Sequence, residues 1–121
     1  MDIKQTSKEI HENAIDKGFW SEGQNIGEKL MLIVSELGEA MAAHRKDKFA
    51  FTKFDLSEIT DIKLFIQIFE NTIKDTFEDE LADAIIVLLD LAYAMGIDIE
   101  KHIILKNKYN KTREHLHSKK Y

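Results

Sequence analysis

From residue 26 to 41 the apolar positions are Ile26, Leu30, Ile33, Val34, Leu37 and Met41. That is the i, i+3, i+4, i+7 spacing that lays one stripe along a helix. It predicts a helix from about Gln24 to Lys46. Further on, "EDELADAIIVLLDLAYAMG" predicts another, running from Thr76 to about Met95. Thr76 and Asp79 have the spacing of a capping box, and Gly96 stands where a helix-ending glycine belongs. Asp98 is placed to cap a last helix reaching roughly Leu116, with Ile99, Ile103, Ile104 and Tyr109 on its apolar side. Near the N-terminus a helix is expected from about Thr6 to Lys17, with Ile10, His11 and Ala14 close together on its surface and Gly18 ending it. The segment "FAFTKFDLSEITD" has no clean period and reads as irregular; Asp61 then caps a shorter helix, "IKLFIQIFENTIK". The fold class is therefore all-α: a helical bundle of four main helices with an inserted shorter helix, residues 1–121 forming one domain. Helices of this length bury their apolar faces better in pairs, so completion of the bundle by a homodimer or homotetramer is expected.

Composition narrows the chemistry. The 121 residues include no proline and five glycines, and 32% are charged, which favours long amphipathic helices over sheet. Without cysteine there is neither a disulfide framework nor a thiolate metal site. The run "AIIVLLDLAYAMG" is too short and too interrupted to span a bilayer, and "MDIKQTSKEIHENA" lacks the apolar centre of a signal peptide. A cytoplasmic location with no membrane partner is the expectation. A net charge of −5 argues against general nucleic-acid binding but not against a small anion held through a metal.

The chemistry-bearing pattern lies inside the two most apolar helices. Glu36 and Glu39 are three apart, as are Glu80 and Asp83. Positions three apart share a helical face about 5 to 6 Å from each other, where like charges repel. On a wet surface the repulsion is small, and a single such pair is commonly a solvated stripe. Leu37, Ala40 and Met41 flank the first pair, however, and Leu81, Ala82, Ala84, Ile85 and Ile86 crowd the second. A hard cation between the two helices resolves the conflict, because Mg²⁺ binds carboxylate oxygens and keeps positions for substrate phosphates. A di-iron bundle would use E-x-x-H on two helices, and here that spacing occurs only at Glu114 and His117. Oxygen ligation alone points to Mg²⁺, with Mn²⁺ as the alternative. Gly38 between the first acids costs about 1 kcal/mol relative to alanine, which fits either a close approach to that backbone or tight helix packing.

E-x-x-E on one helix and E-x-x-D on a later one, Glu36-Leu-Gly-Glu39 and Glu80-Leu-Ala-Asp83, resemble the MazG-type all-α nucleoside triphosphate pyrophosphohydrolases over about residues 8 to 121. The tail "KNKYNKTREHLHSKKY" is similar to that family's closing motif. The resemblance implies that Glu36, Glu39, Glu80 and Asp83 hold Mg²⁺. It also implies that Lys106, Asn110 and Arg113 contact phosphate, with Lys119 and Lys120 as additions. Steps of four and three independently place Lys106, Asn110 and Arg113 on one face of a continuous helix. His11 and Trp20 fall where dCTP pyrophosphatase-like members place a histidine and a tryptophan around the base; a core or interface role for Trp20 and a surface role for His11 stay open. Two departures stand out. Forty residues separate the acid pairs, so residues 47–76 are an added or lengthened element, and "HSKKY" lacks the glycine usual after the histidine. Asp90 lies seven after Asp83 on the same face, either as a support of the site or as a polar group bonded across the bundle.

The implied reaction is attack of water on the α-phosphorus of a nucleoside triphosphate, giving a monophosphate and pyrophosphate, with a role in cleaning the nucleotide pool. Glu39 is the first choice for the base, beside Glu36, and Lys106 and Arg113 would stabilise the pyrophosphate leaving group. The rival expectation is a non-catalytic helical binding or regulatory protein. It would keep the acids as a structural metal site and use the basic tail for docking.

Overall fold

The computed structural model describes residues 1–21, 25–51, 53 and 55–121. Its helices are α1 (Ile3–Asp16), α2 (Ile26–Arg45), α3 (Ile62–Thr72), α4 (Phe77–Ala94) and α5 (Ile99–Asn110), with no strand among the described residues. The protein is all-α. The chain divides into two compact units, a central one of Glu22–Leu88 and a terminal one of Met1–Ser21 with Leu89–Tyr121.

Local chemistry explains where the helices begin. Asp61 accepts from the N–H groups of Lys63 and Leu64, and Asp98 from that of Lys101, as their sequence positions lead one to expect. Thr76 Oγ1 accepts from the Asp79 N–H at 3.3 Å. The Asp79 carboxylate reaches one residue further back than a capping box requires and takes the Asp75 N–H at 2.9 Å. For α1 the cap is Asp2, which accepts from the Gln5 N–H, so that helix starts at Ile3 and not near Thr6. Asn25 caps α2 through the Glu28 N–H; the expected start at Gln24 lies outside the described residues, as do Thr52 and Phe54 of the irregular segment. A 3₁₀ turn at Leu56–Glu58 precedes α3.

Two ends are set by backbone geometry. Gly96, at φ +69°, donates to the Tyr93 carbonyl while Ile97 donates to Ala92, the paired bonds that close a helix around a left-handed residue. The last helix departs from expectation. It stops at Asn110, six residues short of Leu116, because Thr112 and Arg113 turn back onto the carbonyls of Tyr109 and Asn110. Leu116, His117 and Ser118 then take positive φ values, which no right-handed helix continues. Beyond Tyr109 the sequence "NKTREH" offers no apolar face to bury, and short helices draw most of their stability from such burial.

In the central unit the segment after α2 is fastened to the start of α4. Phe77 donates its N–H to the Lys48 carbonyl at 2.8 Å, and Ala50 donates to the Glu78 carboxylate at 2.8 Å. His44, Phe49 and Phe77 meet edge to face, with centroids 5.2 to 6.0 Å apart. Ile33, Ala40 and Ala43 of α2 and Ala84 of α4 are buried here. The small side chains of Ala40, Ala43 and Ala84 leave room for the acids of α2 and α4 to approach one another. In the terminal unit α1 lies against α5, and Leu89, Leu91 and Ala92 are buried.

Candidate metal centre

Glu36, Glu80 and Asp83 each offer a carboxylate oxygen, and the three oxygens lie within 4.8 Å of one another. Two helices of the central unit contribute: α2 supplies Glu36 and α4 supplies Glu80 and Asp83. Glu80 is the most enclosed, at 7% exposure, and its Oε2 is buried with no donor among the described residues. Its side-chain partners are other carboxylates, Glu39 and Glu36, and a hydrogen bond joins two carboxylates only while a proton lies between them. Glu39 is itself exposed and stands outside the trio, facing a cleft it shares with Glu80, Lys46 and Lys48.

The electrostatics follow from burial and crowding. Removal from water, then the proton shared with Glu39, then the charges of Glu39, Asp83 and Glu36 push the Glu80 carboxyl up to about 7. Glu36 is raised by burial first and by Glu39 and Asp83 next. Asp83 is raised by burial, then by Asp79, Glu39 and Asp75. Carboxyls driven toward protonation by one another's charge are a set that a cation would relax. All the donors are carboxylate oxygens, which suits a hard divalent ion. The buried, donorless oxygen of Glu80 is an independent sign that the trio is built to meet something.

In the terminal unit, His11 and Trp20 converge on Asp90. The His11 Nδ1 lies 2.6 Å from Asp90 Oδ1, and the Trp20 indole N–H lies 3.0 and 2.9 Å from the two carboxylate oxygens. An ionised carboxylate only accepts, which places a proton on Nδ1. The His11 and Trp20 rings meet edge to face at 5.3 Å, and Tyr93 stands 5.4 Å from His11. Asp90, 6% exposed, is a polar group bonded across to α1 and the segment after it.

The basic tail is assembled differently from the expected single helical face. Lys106 lies on α5 and Asn110 is its last residue, whereas Arg113 lies beyond it, in the turn. Lys106 and Arg113 nevertheless meet over one ring, with the Lys106 Nζ 5.1 Å and the Arg113 guanidinium 5.5 Å from the Tyr109 centroid. Asn110 keeps a buried Oδ1 with no donor among the described residues. Lys119 and Lys120 are exposed and follow the left-handed residues 116–118.

Gly38 has nothing within 4 Å of where a Cβ would stand, so neither a close approach nor tight packing within the described chain accounts for it. Sequence reasoning passed over Lys46, Lys48, Asp75 and Asp79, which border the acids. The i, i+4, i+8 spacing of Asp75, Asp79 and Asp83 was the available signal. Compared with protein-family models, curated proteins and solved structures, the chain finds no match in any of the three.

Proposed function

We propose that this protein is a magnesium-dependent nucleoside triphosphate pyrophosphohydrolase, cutting between the α- and β-phosphates. The observation that carries the reading is the trio of Glu36, Glu80 and Asp83, three converging carboxylates with a buried oxygen that finds no donor among the described residues. The sequence resemblance to MazG-type hydrolases supplies the reaction class. Glu36, Glu80 and Asp83 would hold Mg²⁺, with Mn²⁺ as a substitute. When bound, such an ion neutralises triphosphate oxygens and polarises the phosphorus under attack.

The chain's own residues then divide the remaining work. Glu39, exposed at the edge of the trio, is free to orient a water and take its proton, which its place outside the trio favours over ligation. The resemblance implies phosphate contact by Lys106, Asn110 and Arg113; within the terminal unit Lys106 and Arg113 share Tyr109, beside an amide oxygen with no donor among the described residues. Like charges gathered on one ring suit an anion. The reading does not require His11 or Trp20, whose N–H groups Asp90 engages. Association into a homodimer or homotetramer is part of the proposal, because α2 leaves Leu30, Met31, Val34 and Met41 about half or more exposed.

The test is pyrophosphate release from a panel of nucleoside triphosphates with Mg²⁺, together with Glu39→Ala. Turnover by the parent protein that disappears in the helical Glu39→Ala variant is the expected outcome. Undiminished turnover in Glu39→Ala removes Glu39 from the mechanism. No pyrophosphate from any triphosphate overturns the reaction itself.

A further inference from the structure

Two clefts in the central unit share residues with the acid trio, and their chemistry differs sharply. One, of about 420 Å³, lies between α3 and α4 and is lined by Phe65, Ile66, Phe69, Lys74, Asp79 and Asp83. The other, of about 240 Å³, is lined by Glu39, Lys46, Lys48 and Glu80. Asp75 borders both. Asp83 and Glu80, which open onto different clefts, are partners in the same trio, so the trio stands where the clefts adjoin.

The larger cleft has an apolar wall and an acidic floor. Phe65 and Phe69 are half-buried, with centroids 5.8 Å apart and planes inclined by 33°, and Ile66 beside them is 46% exposed. A flat group with polar edges suits such a wall, since any nucleobase has a π-face and aromatic stacking is tolerant of base identity. Glu70, Asp75 and Asp79 at the border accept hydrogen bonds, as sugar hydroxyls and base amino groups require. A triphosphate would meet several carboxylates there and a single lysine. The smaller cleft is less acidic and less apolar, with Lys46 and Lys48 set against Glu39, Asp75 and Glu80. Its two ammonium groups suit phosphate once a cation offsets the acids, and its apolar contribution is only Ala42 and Ala43, which offers a base no ring to stack on.

Resting on the nucleotide-hydrolase reading, we propose that the substrate lies along the central unit in one sense. Its base and sugar occupy the α3–α4 cleft against Phe65 and Phe69, its α-phosphate meets the trio, and its outer phosphates reach Lys46 and Lys48 of the same unit. These contacts stand in place of those with Lys106, Asn110 and Arg113 that the resemblance implies. The inserted segment is then the specificity element of the enzyme, with α3 supplying the nucleoside wall.

Calorimetric affinities of nucleoside monophosphates and inorganic triphosphate, both with Mg²⁺, test the two ends separately, alongside KM and kcat for nucleoside triphosphates. Phe69→Ala should weaken monophosphate binding and raise KM by about 5- to 100-fold, with inorganic triphosphate binding and kcat little changed. Phe65→Leu, which keeps an apolar side chain but no ring, should shift KM in the same direction. Lys46→Ala combined with Lys48→Ala should show the reverse split, weakening inorganic triphosphate and sparing the monophosphate. Unaltered nucleotide affinity in both phenylalanine variants overturns the proposal, as does loss of inorganic triphosphate affinity in a well-folded Phe69→Ala. A parent protein that binds monophosphates through Phe69 but releases no pyrophosphate overturns the hydrolase reading and leaves the cleft assignment standing.

Discussion

Each unit of this protein buries a carboxylate, and the two are treated in opposite ways. Asp90 in the terminal unit is 6% exposed and accepts from His11 at one oxygen and from the Trp20 indole N–H at both. Glu80 in the central unit is 7% exposed, yet its Oε2 finds no donor among the described residues and its neighbours are carboxylates. Burial of an ionised group is tolerated when hydrogen bonds replace water, and it is strongly unfavourable when they do not. Asp90 is therefore complete as it stands and ties α1 and the segment after it to α4. Glu80 lacks such a donor among the described residues, and a proton or a cation would relieve its crowding by other carboxylates. The same residue class in the same helix is thus fully hydrogen-bonded in one place and left in a crowded carboxylate cluster in the other.

The widest separation between the two should appear in turnover. On the proposed reading, Glu80→Gln or Asp83→Asn is expected to lower pyrophosphate release by about 100- to 1,000-fold by removing a charge that a bound cation would need. Helicity should be retained, because neither side chain supports a helix cap. Next in size is the converse change. Asp90→Ala leaves the His11 and Trp20 donors without their acceptor and should destabilise the fold by about 2 to 3 kcal/mol in denaturant unfolding. If Asp90→Ala proves neutral while Glu80→Gln unfolds the protein, the two roles have been assigned the wrong way round.

A smaller effect concerns pH. The Glu80 carboxyl is raised to about 7, so below that value the folded chain keeps a proton that an unfolded glutamate has already released. Stability from this group is full below the unfolded glutamate value and is lost as pH rises through about 7. Melting temperatures in chelator should therefore fall between about pH 5 and pH 8, and added Mg²⁺ should restore most at the upper end. In Glu80→Gln both trends should flatten, and a slope that persists unchanged would place the titrating group elsewhere. Smallest of all is Gly38→Ala, expected to stabilise by up to about 1 kcal/mol because a Cβ there meets open space. Should that variant dissociate an oligomer, the space belongs to a second copy of the chain.

Much of the helical plan was legible one residue at a time. Asp61, Asp98, Thr76 and Gly96 act where their side chains or backbone freedom require it, since capping depends only on neighbours a few residues away. The end of α5 was less legible. Charge and spacing carry "NKTREH" forward as helix, whereas the lack of anything for it to pack against ends it at Asn110. Lys106 and Arg113 still come together, over Tyr109 and not along one helical face.

Sequence periodicity alone established that the chain is helical, and that acids three apart would share a face inside apolar surroundings. Tertiary packing alone selected Glu36, Glu80 and Asp83 as the converging trio, set Glu39 at its edge and joined Phe65 and Phe69 to the same neighbourhood. It also gave Asp90 its two donors from residues 70 and 79 positions away. Periodicity fixes which face of a helix a residue occupies, because the repeat is local. Which faces meet, and which buried charge is left without a donor, depends on segments far apart in the chain.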